Sequence, residues 1–150
     1  MRRVACVLWI FGAALAAAGT AAGQTDDISV CNRVEEPFAS AIAACTRLIN
    51  TGRLSPTELA TVYTNRGTAH RLLRQYDHAL QDQDEAVRLN PRNSRAWHNR
   101  GVVLYYSGKF DLAIESFGRA IAIDDRFGLS YENRGFAHYR KGQIDQAIAD

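Results

Sequence analysis

The chain has 150 residues, with 18 basic and 16 acidic side chains and a formal net charge of +2. This length fits a single domain. The first 23 residues carry two arginines and no acid, so their removal would lower the net charge from +2 to 0. A neutral chain without a Lys/Arg cluster does not favour a nucleic-acid partner.

Residues 1–23 have the pattern of a secretory signal peptide. Two arginines near the N-terminus are followed by an apolar run and then by small residues up to Gly23. This order predicts cleavage near the Gly23–Gln24 bond. An uncleaved anchor helix is the alternative, because the uncharged run is just long enough to span a bilayer. We expect cleavage, since the run ends in small residues, and hence a periplasmic or secreted protein without a membrane attachment.

Cysteines are few in this chain. Cys6 lies in the predicted signal, so the mature chain keeps Cys31 and Cys45. Two cysteines in an exported protein most simply form a disulfide. The alternative is two buried free thiols. No metal site is expected, because so few ligands are present.

Residues 26–54 read as a degenerate helical pair, related to the repeats that follow. Residues 41–48 form its predicted second helix, and the stretch around Ser29–Val34 is its predicted first helix. A bridge between Cys31 and Cys45 would then join the two helices. Closing a loop of about 15 residues stabilises a fold by roughly 3 kcal/mol. Such a bridge suits an end repeat, which lacks a neighbour on one side.

A tripeptide, Asn-Arg-Gly, recurs through the rest of the chain at residues 65–67, 99–101 and 133–135, so its spacing is 34 residues each time. Other residues keep the same period. They are aromatic residues two positions before each asparagine (Tyr63, Trp97, Tyr131) and alanines twelve positions after each glycine (Ala79, Ala113, Ala147). A fixed period of this length is the signature of stacked repeats.

Helix boundaries follow the same period. Ser55 and Glu58 form a capping box with a proline at the first helical position, which predicts a helix start at residue 56. The predicted helices are 56–73, 77–90, 94–107 and 110–123, then one from near Gly128 and a short one from Gln143 or Ile144. We therefore divide residues 55–150 into repeats at 60–93, 94–127 and a truncated 128–150. The short last helix suggests a fragment of a longer array.

These residues resemble the tetratricopeptide repeat, a helix–turn–helix unit of 34 residues. The resemblance implies an all-α fold, a right-handed α-solenoid of antiparallel helix pairs with about three repeats and the degenerate N-terminal pair. One feature departs from the family pattern. Arg66, Arg100 and Arg134 stand where the family usually has leucine.

The resemblance also implies that the first helix of each pair lines a concave groove. Asparagine ladders in similar arrays hold the backbone of an extended peptide, and an amide can both donate and accept as a peptide group does. The alternative is that these asparagines bond to neighbouring repeats. The predicted peptide-binding residues are Asn65, Thr68, Asn99, Val102, Tyr105, Asn133, Phe136 and Tyr139. Thr64, Leu129 and Asn133 stand at positions of the family's carboxylate clamp, so that clamp is absent.

No catalytic constellation, metal site or cofactor motif is visible in the sequence. His70 and His138 occupy equivalent positions and are expected to pack, whereas His98 is expected to face the groove. The sequence therefore predicts a non-catalytic scaffold that binds a protein or peptide, without a cofactor. Two alternatives stay open: a structural module that self-associates through its C-terminal end, and the repeat portion of a larger enzyme.

Overall fold

The computed structural model describes residues 20–150. This part of the chain is all-helical, without a strand, and its helices form four successive hairpins. The helices are α1 (Thr20–Asn32), α2 (Phe38–Asn50), α3 (Pro56–Leu72), α4 (Tyr76–Leu89), α5 (Ser94–Tyr106), α6 (Phe110–Ile123), α7 (Gly128–Arg140) and α8 (Ile144–Ala149).

The hairpins stack in chain order. Each first helix contacts its own partner helix, and each partner helix contacts the first helix of the next hairpin. The first helices also touch one another in series, α1 with α3, α3 with α5, and α5 with α7. This nearest-neighbour pattern is that of a solenoid. The predicted all-α fold class is confirmed.

Helices α3 to α8 begin within one residue of their predicted starts. The capping box at α3 is formed as predicted: the Glu58 backbone N–H donates to Ser55 Oγ at 3.3 Å, and the Ser55 N–H donates to Glu58 Oε2 at 2.8 Å. At α5 the cap is Asn93, whose Oδ1 accepts from the Ala96 N–H at 3.3 Å. These bonds satisfy backbone donors that a helix start leaves free.

The predicted first helix around Ser29–Val34 is wrong in its bounds, because α1 runs from Thr20 to Asn32. The helix extends towards the N-terminus past Asp27, whose carboxylate accepts hydrogen bonds from Arg47 of α2. This contact lowers the pKa of Asp27. An acidic residue that sequence reasoning placed before the helix therefore lies within it.

The predicted signal peptide, residues 1–23, lies almost entirely outside the described residues and stays a prediction. Within residues 20–150, no helix has the length and apolar character needed to cross a membrane.

The structure brings Cys31 of α1 and Cys45 of α2 together with disulfide geometry, their Cα atoms 5.0 Å apart. Both side chains are fully buried, in a cluster with Ala44, Leu48 and Val62. Since Val62 belongs to α3, this cluster also joins the first hairpin to the second.

Small residues allow the helices of each hairpin to approach closely. A Cβ added to Gly67 would lie 3.1 Å from the carbonyl oxygen of Ala79, and one added to Gly101 would lie 2.6 Å from the Phe117 ring. Real Cβ atoms do not make contacts as close as 2.6 Å, so an alanine at residue 101 would require movement. Phe117 is completely buried. The glycine of the repeated tripeptide therefore serves helix–helix packing.

Candidate peptide-binding groove

The arginine of the first tripeptide is held by a carboxylate and an aromatic ring. The Arg66 guanidinium donates to both carboxylate oxygens of Asp82, at 2.9 and 2.6 Å, and lies 5.4 Å from the centre of the Tyr63 ring. Asp82 is on α4, so the pair spans the two helices of its hairpin. This bonded carboxylate raises the pKa of Arg66. Bidentate pairs of this kind are among the strongest side-chain contacts.

The third tripeptide repeats the arrangement. Arg134 donates to both carboxylate oxygens of Asp150 and lies 5.4 Å from the centre of the Tyr131 ring. The pKa of Arg134 is raised by this bonded carboxylate.

The second tripeptide uses a variation. Serine replaces the aspartate, and Arg100 donates to Ser116 Oγ at 2.7 Å. Its carboxylate partner is Asp84 of the preceding hairpin, also at 2.7 Å, and its aromatic partner is Trp97. Arginine therefore fills the family's leucine position by bonding across helices. Sequence reasoning missed this role, although Asp82, Ser116 and Asp150 each follow their arginine by 16 residues.

The asparagines beside these arginines are not alike. The Asn65 amide donates to the Asn32 side chain, at the end of α1, at 3.0 Å. Asn65 is thus engaged by a neighbouring hairpin, as the alternative reading expects. Asn99 and Asn133 are half-buried, and neither side chain hydrogen-bonds to another residue of the described chain. They lie at equivalent positions of α5 and α7, two helices in contact. Two of the three predicted amides are therefore free to bind a ligand.

Two further predicted groove residues are engaged within the fold. Thr68 Oγ1 donates to the Thr64 backbone carbonyl one turn earlier, at 2.8 Å. Val102 is half-buried and packs against the core cluster that contains Leu104 and Phe117. The Thr68 hydroxyl therefore keeps only its acceptor capacity for a ligand, and Val102 serves mainly the packing of the fold.

The three aromatic candidates converge on one hollow. Tyr105, Phe136 and Tyr139 line an open cavity of about 1030 Å³ on the last hairpin, together with Ile144 and Ile148 of α8. Phe136 is 51% exposed, and Tyr139 is 64% exposed. The lining is mainly apolar. Asn133 is not part of it, so the predicted site residues form two regions: a polar one at the asparagines and an apolar one at the C-terminal end.

The expectation that His98 faces the groove is wrong, because its side chain is 8% exposed. The ring packs against Phe117 and Phe127, and Nδ1 is 2.9 Å from Ser130 Oγ. Burial, assisted by the nearby charge of Arg71, lowers the pKa of His98 to about 4. This histidine joins α5 to α7 in its neutral form.

The other two histidines of the first helices, His70 and His138, are expected to pack; both are half-buried, and each lies beside a glutamine of the following turn. Nδ1 of His70 is 2.7 Å from Gln75 Oε1, and Nδ1 of His138 is 2.7 Å from Gln143 Oε1. Both contacts close the turn of a hairpin. Residues 20–150 contain no group of three or more acidic, histidine or cysteine side chains that could hold a metal ion.

These observations define a class: a solenoid of helical hairpins with glycine and alanine at the crossings. Family models of the tetratricopeptide repeat match residues 60–93 and 94–127. The chain is a tetratricopeptide-repeat protein, with the fold of a protein-interaction scaffold. A search of curated proteins finds no match.

Solved structures with the same fold include three that are informative here. MamA is 24% identical with a TM-score of 0.70, over 84% of this chain and 68% of MamA. YrrB, described as a repeat protein with an unusual peptide-binding site, is 21% identical with a TM-score of 0.71, over 86% and 66%. The second repeat domain of Spaghetti (RPAP3), bound to the HSP90 peptide SRMEEVD, is 20% identical with a TM-score of 0.59, over 60% and 83%.

Proposed function

We propose that this protein is a non-catalytic scaffold that binds an extended segment of a partner protein along its first helices, in an exported compartment. The main support is the contrast within the repeated tripeptide. Each arginine is bonded inside the fold, whereas Asn99 and Asn133 are half-buried and lack a partner in the described chain. A half-buried amide without a partner gains most from a ligand that supplies the complementary peptide group.

Two solved relatives make the proposal more specific. The Spaghetti (RPAP3) domain is bound to a peptide, and YrrB is described as having a peptide-binding site. The carboxylate clamp is missing from the present sequence. We therefore propose recognition of the peptide backbone by Asn99 and Asn133, with apolar partner side chains held by Tyr105, Phe136 and Tyr139.

An array of random decapeptides would supply a ligand, and variants would then test the site. The double variant N99A/N133A should weaken the best peptide by about tenfold, since each hydrogen bond contributes about 0.5–1.5 kcal/mol and 1.4 kcal/mol is tenfold. The matched control is N65A, because Asn65 is already bonded to Asn32. This control should bind normally. Unchanged affinity in a folded N99A/N133A variant would contradict the proposal.

The proposed export of the protein has a separate test. Export predicts that the mature chain starts near Gln24, and that it is recovered from the exported fraction of the source cells. Mass determination of the N-terminus would show this. A chain that keeps residues 1–23 would contradict cleavage.

A second function, self-association, is favoured by the apolar hollow on α7 and α8. Phe136, Tyr139, Ile144 and Ile148 are each 48–78% exposed there. Apolar surface concentrated in one patch is characteristic of an interface. We propose that a second copy of the chain covers it.

The variant I148D tests self-association. Sedimentation over a concentration series should show association of the wild type and its loss in I148D. The matched control is L112D, because Leu112 of α6 is also exposed (45%) but lies outside the hollow. This control should associate normally. A monomeric wild type at high concentration would contradict the second function.

A further inference from the structure

An arginine occupies a backbone position where the other repeats have glycine. The turn between α3 and α4 places Arg74 at a φ of 59°, and the equivalent Gly108 and Gly142 have a φ of 75°. The three turns close with the same backbone hydrogen bonds, for example from Gln75 N–H to the His70 carbonyl and from Lys109 N–H to the Leu104 carbonyl, both 2.9 Å. A side chain is strained at such a φ, whereas glycine is not. Strain of this kind is often found at functional sites.

The strained arginine lines a small pocket. Its volume is about 290 Å³, and its walls are Arg71, Leu72, Arg74, Tyr76 and Tyr106. Drug-sized ligands occupy pockets of about 300–1,000 Å³, so this one suits a single side chain or a terminal group.

Two stacked tyrosine rings line the pocket. The rings of Tyr76 and Tyr106 are nearly parallel, with 4° between their planes and 6.4 Å between their centres. The Arg71 guanidinium lies 5.9 Å from the centre of the Tyr106 ring. Because Tyr106 belongs to the next repeat, the pocket is made by two adjacent repeats.

The charge of the pocket is not neutralised by the fold. In contrast to Arg66, Arg100 and Arg134, neither Arg71 nor Arg74 forms an ion pair with a carboxylate of residues 20–150. Asp77 is the acidic residue of the adjoining hollow, where it lines the surface with Arg74 but lies outside ion-pair distance. Two guanidinium groups three residues apart are suited to a carboxylate, which they can bind with paired N–H donors.

We propose that this pocket binds a carboxylate of the partner protein, either an acidic side chain or the C-terminal group, held by Arg71 and Arg74 beside the side chains of Tyr76 and Tyr106. This inference rests on the proposed function and assigns to the partner a carboxylate that enters this pocket. Arg71 lies one turn after Thr68 on α3, so the pocket continues the line of predicted groove residues to the turn edge of the stack.

Hexaglutamate amide labelled with BODIPY, a dye without net charge, is the probe, with binding measured by anisotropy at low salt. Wild type should bind it, and R71A and R74G should each bind about tenfold more weakly. R74G is the more informative variant, because it restores the glycine of the other repeats and should keep or raise Tm while weakening binding. Normal binding by a folded R74G or R71A would overturn the proposal.

The matched control is R92A. Arg92 is exposed in the turn between α4 and α5 and makes no ion pair within residues 20–150. The R92A substitution removes one positive charge outside the pocket, so it should change the affinity for hexaglutamate amide less than twofold. A loss as large as that in R71A would mean that overall charge, and not this pocket, binds the probe.

Two further probes identify the source of the carboxylate. Hexaglutamine with a free C-terminus is compared with its amide, and arginine-dependent binding of the free acid would assign the pocket to a chain terminus. Equal binding of the uncharged amide would contradict the proposal. The pocket and the groove can fail separately. Weaker decapeptide binding by N99A/N133A, together with normal hexaglutamate binding by R71A, overturns the pocket alone. Normal decapeptide binding by N99A/N133A, together with weaker hexaglutamate binding by R71A, overturns the groove alone.

Discussion

The first and last hairpins of the stack differ in how their apolar side chains are covered. At the first, Cys31 and Cys45 are completely buried, and α3 contributes Val62 to the same cluster. At the last, the apolar side chains of α7 and α8 are largely exposed. Tyr105 and Tyr139 occupy equivalent positions 34 residues apart, yet Tyr105 lies under the Arg140 guanidinium, at 5.8 Å, whereas Tyr139 is 64% exposed. Contacts from the neighbouring repeat, and not the position within a repeat, therefore determine whether an equivalent side chain is covered or exposed.

The largest expected change in the free energy of unfolding comes from removing the disulfide of the first hairpin. Replacing both cysteines with C31A/C45A should lower the free energy of unfolding by about 3 kcal/mol, the value for a closed loop of about 15 residues. Denaturant titration measures the loss. Thiol labelling of the unfolded, unreduced protein provides the chemical check. Two reactive thiols per mature chain would show that the bridge is not formed.

Glycine substitutions compare the middle of the stack with the hairpin formed by α7 and α8. G101A should lower the free energy of unfolding by about 1–3 kcal/mol, because its Cβ would lie 2.6 Å from the buried Phe117 ring. G135A should change it by less than about 1 kcal/mol. There the nearest atom is the Ala147 carbonyl oxygen at 3.3 Å, and alanine is the better helix former by about 1 kcal/mol. Equal losses in thermal or denaturant unfolding would contradict this difference.

Lowering the pH should lower the free energy of unfolding through protonation of His98, which lies in the middle of the stack. Burial lowers its pKa from 6.5 to about 4, so between these values the unfolded chain binds a proton that the native chain does not. The contribution of neutral His98 to the free energy of unfolding is complete above pH 6.5 and is lost as the pH falls towards 4. The loss is about 2 kcal/mol at pH 5. The difference between wild type and H98L, measured against pH, isolates this effect from the carboxylates. Parallel pH profiles would contradict it.

Periodicity was sufficient to predict the helices from α3 onwards, because glycine, alanine and capping residues act locally. It was not sufficient for α1, which carries no copy of the repeated tripeptide and contacts α2 through the ion pair between Asp27 and Arg47. Nor could it distinguish Asn65 from Asn99, since only the structure shows that Asn32 reaches the former. A repeat pattern gives equivalent positions, whereas hydrogen-bond partners depend on neighbours distant in sequence.

The central claim is that Asn99 and Asn133 recognise a peptide backbone. It involves the smallest of the expected free-energy changes, a change in the free energy of binding. The most direct measurement is a double-mutant cycle that combines N133A with replacement of one peptide amide of the bound ligand by an ester, which removes its N–H donor. If Asn133 accepts from that N–H, one ester position should show a coupling of about 0.5–1.5 kcal/mol with N133A, and N65A should show none. Additive effects of N133A and the ester at every position of the peptide would contradict backbone recognition.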